Sequence, residues 1–231
     1  MAAKVSLPGL GEAQEALWKL RQVAQCRVDW RPIVPKAVAG DDVVVLVHGF
    51  LATAGMFRPL RAHLEREAHA QVASFSHAPG LGVKRIAKQL AELVDRIPHG
   101  TRIHLVGHSL GAIVARWYVQ EMAGHERVAQ TISIAAPFGG SHVAARLPLF
   151  VGADLHGASD VLARLRETAH VGDVPHTSIV GTADRLVTPP ECARFHHGDV
   201  IVLEGRGHNA LLFDRESIGH VVARVKNAAL V

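Results

Sequence analysis

From residue 41 onward, short apolar runs rich in Val and Ile alternate with longer segments of helical periodicity, and this alternation narrows the fold more than any other feature. A strand buried on both faces reads as a continuous apolar run, and the helices between such strands cross over to keep neighbours parallel. The pattern predicts an α/β fold with a mostly parallel sheet of about six strands flanked by helices. Strands are expected at Val43 to Val47, Gln71 to Phe75, Arg102 to Val106, Val128 to Ala135, His176 to Val180 and Val200 to Leu203. Helices are expected at Met56 to His69, Val83 to Ile97, Ala112 to Ala123 and Asp214 to Ala228, the second closed by Pro98-His99-Gly100 and the third by Gly124. With 231 residues, 48% of them hydrophobic, the chain can bury one full core, so residues 1–231 read as a single domain.

Two regions stand outside the alternation. Glu12 to Gln25 places Ala13, Ala16, Leu17, Leu20, Val23 and Ala24 on one helical face; its other face mixes Glu12 and Glu15 with Lys19 and Arg21, which suits packing on the domain better than a membrane surface. Residues 138–174 form a connection longer than usual, apolar at Leu147, Leu149, Phe150 and Val151 and helical from about Asp160 to Thr168, so a small cap or lid insert is expected there.

The chemistry centres on Gly107-His108-Ser109-Leu110-Gly111, a G-x-S-x-G pentapeptide directly after one expected strand and directly before an expected helix. An activated serine needs a sharp turn that exposes its hydroxyl, and the glycines remove side chains where strand and helix backbones approach. It also needs a base and a carboxylate behind the base, following in the order Ser, Asp or Glu, His, each past a strand end. Asp184 follows the strand His176 to Val180 through Gly181-Thr182-Ala183. His208 lies in the glycine-flanked loop Gly205-Arg206-Gly207-His208-Asn209, between the last strand and the last helix. Of the sixteen histidines most are expected to be solvated or capping, and position alone singles out His208. Asp199 opens a strand at its wrong end and Asp214 reads as a helix cap, leaving Asp173 as the runner-up acid.

Two backbone donors are needed for the oxyanion. Leu110, after the serine, offers one; Phe50, in the loop His48-Gly49-Phe50 that follows the first strand, offers the other. His48 reads as a structural residue that hydrogen-bonds within that loop.

These residues resemble the bacterial lipases and esterases of the α/β-hydrolase superfamily. The likeness extends to Ala115-Arg116-Trp117-Tyr118-Val119, Ala136-Pro137-Phe138-Gly139-Gly140-Ser141, Gly181-Thr182-Ala183-Asp184 and Gly207-His208, and spans roughly residues 41 to 225. It implies a compact α/β-hydrolase fold, a Ser109, Asp184, His208 triad, and Phe50 and Leu110 as oxyanion donors. It departs at Phe138, where related lipases commonly carry His or Arg, and it has no counterpart of the calcium site of some larger members. No cofactor and no metal are expected; the partners expected are a small-molecule or lipid ester and water.

Other features exclude more than they add. The +4 formal charge comes from 25 Lys and Arg scattered among 21 Asp and Glu without a basic run, so nucleic acid is not an expected partner. Pro8 and Gly9 interrupt the segment where a secretion signal would be apolar, and no run suits a transmembrane helix, so the chain as given reads as cytoplasmic. Cys26 and Cys192 read as two free thiols, although sequence leaves one disulfide open. Cys192 has no spaced histidine to serve as its base, and His196-His197 with Asp199 reads as a solvated group rather than a chelate. The reaction expected is hydrolysis of carboxylic esters. Thioester cleavage or acyl transfer by the same residues, or a non-catalytic binding module, remain alternatives, and the 138–174 insert could be a partner-binding patch instead of a lid. The sequence does not set the oligomeric state.

Overall fold

The computed structural model describes residues 29, 31–143 and 150–228. The helix expected at Glu12 to Gln25, Leu147, Leu149 and Cys26 lie outside the described residues. Six strands form one parallel sheet: β1 (Asp42–Val47), β2 (Gln71–Phe75), β3 (Arg102–His108), β4 (Val128–Ile134), β5 (His176–Gly181) and β6 (Asp199–Leu203), in the order β2-β1-β3-β4-β5-β6. This is the α/β-hydrolase class of fold. Each expected strand is present, with no end shifted by more than two residues.

The helices are α1 (Arg58–Glu67), α2 (Val83–Val94), α3 (Leu110–Glu121), α4 (Phe150–Asp154), α5 (Asp160–Glu167) and α6 (Arg215–Ala228). Strand β1 shows why the sheet must be covered twice. Val43, Val45 and Val47 face the core shared with α2, α3 and α5, whereas Val44 and Leu46 face the core built with α1 and α6. The period of α2 brings Val83, Ile86, Ala87, Leu90, Leu93 and Val94 to one buried stripe.

Local chemistry sets the helix ends. The stretch expected to open the first helix at Met56 is instead a 3-10 turn, Ala54–Phe57, and the α-helix begins where Pro59 fits its first turn. Ser159 caps α5 by accepting from the Leu162 N–H at 3.2 Å, and Asp214 Oδ1 accepts from Glu216 and Ser217 N–H at 3.1 and 3.2 Å ahead of α6, as a capping Asp should. The described part of the long connection packs into the sheet's cover: Val151, Leu155, Val161, Leu162 and Leu165 join the main core. Gln120 of α3 donates to the Leu165 carbonyl at 2.9 Å, which fixes α5 to that layer.

The chain winds outward from β1 to β2, then returns to place β3 on the other side of β1. Loops leaving the carboxyl ends of β1 and β3 therefore diverge at the point where strand order reverses, which is where open parallel sheets form their crevice. No described helix is long and apolar enough to cross a membrane.

Candidate active site

Ser109 sits between the last residue of β3 and the first of α3, with φ 52° and ψ −122°. A side-chain-bearing residue is rare in that region, at a cost on the order of 1–3 kcal/mol, and persists only where its surroundings enforce it. Here the Ser109 N–H donates to the Ile134 carbonyl at 2.9 Å, and its own carbonyl accepts from Ala112 at 3.0 Å. The glycines permit the close approach: a Cβ on Gly107 would lie 2.4 Å from the Ala112 nitrogen, and one on Gly111 would lie 2.0 Å from the Val47 carbonyl oxygen.

His208 and Asp184 meet beyond the ends of β6 and β5. Asp184 Oδ2 accepts from His208 Nδ1 at 2.7 Å, with both side chains buried. A carboxylate can only accept, so Nδ1 carries a proton, and in the neutral ring Nε2 is the nitrogen with the lone pair. Asp184 Oδ1 is held in turn by the Leu186 and Val187 N–H groups at 2.8 and 3.0 Å. The two loops are also joined through the main chain, Ala183 N–H donating to the Arg206 carbonyl at 3.1 Å. His108 brings the serine turn to this pair: its Nε2–H donates to the His208 carbonyl at 3.2 Å, and the two rings lie 4.8 Å apart. Asp173, the other acid considered, precedes β5 at the opposite edge of the sheet, exposed and 3.8 Å from His197.

The loop after β1 packs against the serine. A Cβ on Gly49 would come within 3.1 Å of both Ser109 Cβ and His108 Nδ1, a tight fit that requires the neighbours to give by a few tenths of an ångström. His48 donates from Nδ1 to the Gly49 carbonyl at 2.8 Å, the contact expected within the loop. It does more than that. Its Nε2 accepts the His77 N–H at 3.0 Å, its carbonyl accepts from His77 Nε2 at 3.2 Å, and the rings stack 3.8 Å apart at 12°. Burial first, then the neighbouring His77, pushes His48 down to about 3, and burial lowers His77 as well. Sequence reasoning missed His77, which stands 29 residues away and in no motif. Phe50 lies half-buried on the main core. Leu110, as the first residue of α3, has an N–H with no acceptor inside the helix.

Phe138, where related lipases were expected to differ, is buried with its ring 4.9 Å from Phe195 and 5.6 Å from His176, an aromatic setting. Cys192 has a free thiol that burial pushes up, opposite to what a nucleophile needs. His196 and His197 lie just before β6, exposed and half-buried. Among the described residues no group of three His, Cys, Asp or Glu could hold a metal ion. A cavity of about 750 Å³ opens between the start of α2 and the α4 to α5 turn, lined by Leu81, Lys84, Arg85, Asp154, His156 and Val161 among others. Its lining does not include Ser109, Asp184 or His208.

The palmitoyl protein thioesterase family matches residues 43–173, more than half of the chain. The chain belongs to that family. This palmitoyl protein thioesterase family member is thus a serine hydrolase acting on esters or thioesters. The matched span holds Ser109 and the His48-Gly49-Phe50 loop, while Asp184 and His208 follow it. No curated protein sequence matches the chain. Among solved structures, lipase B of Aspergillus fumigatus is similar with 19% identity over 83% of this chain and 55% of its own, at a TM-score of 0.66. The mature form of a Bacillus licheniformis lipase has 12% identity over 85% and 98%, at a TM-score of 0.69. A metagenomic carboxyl esterase has 18% identity over 87% and 76%, at 0.58. At these identities the likeness establishes the fold. The family member spans just over half of the Aspergillus lipase and nearly all of the mature Bacillus one.

Proposed function

We propose that this chain hydrolyses carboxylic esters through an acyl-serine intermediate, with Ser109 as nucleophile, His208 as base and Asp184 as the residue that orients and supports the base. The observation that carries the reading is the 2.7 Å bond between buried Asp184 and His208 Nδ1, which leaves Nε2 as acceptor on a loop tied to the strained serine turn. His208 Nε2 takes the Ser109 proton as Oγ bonds to the acyl carbon. The negative charge moves to the carbonyl oxygen, where the Phe50 and Leu110 N–H groups receive it. Collapse of this adduct breaks the bond to the leaving oxygen, which departs with the proton from His208. Water, deprotonated by the same Nε2, then attacks the acyl-serine, and the acid leaves as Ser109 regains its proton. The sequence calls for no cofactor.

Family membership favours a second reading, cleavage of thioesters by the same steps with a thiol as leaving group. The triad alone does not name the leaving atom. In both readings we take residues 1–231 as one catalytic domain and 138–174 as a small cap or lid insert, a reading supported by the length of that connection and its apolar stretch.

The test compares kcat/KM of the wild type and Ser109→Ala on matched oxygen esters and thioesters from acetyl to palmitoyl. The ester reading expects activity on the oxygen series that vanishes with Ser109. Activity confined to thioesters selects the second reading, and no Ser109-dependent activity in either series rejects both.

A further inference from the structure

We propose that His108 is a positioning residue that holds the main chain of His208 against the serine turn, so that base and nucleophile keep one separation. The proposal rests on the triad reading above. Strands β3 and β6 are separated by β4 and β5, roughly three strand spacings of about 4.8 Å each, and no ladder bond can connect Ser109's strand with the loop of His208. That loop is flanked by Gly205 and Gly207, and glycine leaves a backbone freer than other residues do. A side chain from the residue beside the serine bridges the distance instead. His108, at the end of β3, donates from Nε2 to the His208 carbonyl at 3.2 Å and sets its ring 4.8 Å from the His208 ring.

The rest of the His108 environment admits only this orientation. A carbonyl accepts and cannot donate, so the His108 proton lies on Nε2 and Nδ1 carries a bare lone pair. Nδ1 is buried without a hydrogen-bond partner and faces Gly49, where a Cβ would come within 3.1 Å of it. An unsatisfied buried acceptor is costly, and the turn tolerates it while the other nitrogen holds the base loop. The charged or titratable groups that face the ring are His208 and His48. Complete burial, with His208 beside it, keeps His108 well below its ordinary range, so it does not compete with His208 for the proton taken from serine. Leu, Met or Gln at this position would be equally buried; of the three, Gln alone could donate to the carbonyl.

The experiment measures kcat, KM and melting temperature for the full chain and for His108→Leu, His108→Met, His108→Gln and His208→Ala on a chromogenic ester. The expected result is a loss in kcat of about tenfold to a hundredfold in the Leu and Met variants, with KM little changed and most of kcat restored in Gln, because small misplacements of reacting groups cost that much. Leu or Met variants with wild-type kcat would overturn the proposal, as would Gln falling as far as Leu. If Leu and Met unfold while Gln folds with full kcat, the bond serves stability and the proposal also fails. His208→Ala separates the two readings: if it stays active the triad reading is wrong, whereas an inactive His208→Ala beside a fully active His108→Leu removes this inference alone.

Discussion

The Asp184 carboxylate is divided between two tasks, with Oδ2 taking the His208 Nδ1 proton at 2.7 Å while Oδ1 takes the main-chain N–H groups of Leu186 and Val187 at 2.8 and 3.0 Å. The main-chain donors fix which oxygen faces the histidine. Orientation of the His208 ring is therefore set by the turn that follows β5 as much as by Asp184 itself.

That division predicts the effect of Asp184→Asn. The Leu186 and Val187 donors will hold the amide oxygen where Oδ1 now stands, which turns the NH₂ toward His208 Nδ1. Nδ1 must then accept, the ring proton moves to Nε2, and the base loses its lone pair. We expect kcat to fall by as much as about 10⁴-fold with the fold retained, by analogy with the same change in serine proteases. Measured kcat alongside circular dichroism checks this; a variant within tenfold of wild type would contradict it.

Gly49→Ala probes the loop after β1. The added methyl would meet Ser109 Cβ and His108 Nδ1 at 3.1 Å, tight enough that the loop must shift by a few tenths of an ångström. With Phe50 as the oxyanion donor we propose, a shift of this loop is expected to lower kcat on the order of a hundredfold, the scale of losing one such donor, with little change in melting temperature. Gly111→Ala should instead destabilise the protein strongly, since its methyl would lie 2.0 Å from the Val47 carbonyl. Thermal melts of the two variants separate these outcomes, and equal melting temperatures would refute the contrast.

Stability should fall in mild acid. Burial lowers His48 to about 3 and moves His77, His104, His108 and His176 down as well, the last two well below the ordinary 6.5. Between 6.5 and the depressed folded values the unfolded chain binds protons that the folded chain refuses, so stability is full above 6.5 and declines as pH drops. Each such group contributes a slope of up to about 1.4 kcal/mol per pH unit in that window. Melting temperature measured from about pH 7.5 down to about pH 5 should decrease steadily; a flat or rising curve would mean that these rings are not held neutral.

Much of this arrangement was readable from sequence because its parts lie at strand ends. The Val- and Ile-rich runs mark all six strands, and Ser109, Asp184 and His208, the residues we propose as nucleophile, acid and base, stand just past the ends of β3, β5 and β6. What stayed hidden depends on contacts between distant residues. Arg116, which the sequence marks only as part of the Ala115-to-Val119 likeness, is 1% exposed, bonded to Gln120, Thr131, Ala169 and Val174 and stacked 4.3 Å over Phe195. His48, His77, His104, His108 and His176 are buried besides His208, although a histidine in sequence carries no sign of which side it faces. His77 became visible only when β1 and β2 paired and brought its ring onto His48.

The most direct test of the central claim is covalent labelling of the wild type with a fluorophosphonate, followed by peptide mass spectrometry and comparison with Ser109→Ala and His208→Ala. The account predicts one label per chain on the peptide that contains Ser109, none in Ser109→Ala and greatly slowed labelling in His208→Ala. A label on another residue, or equal labelling of the wild type and Ser109→Ala, would contradict it.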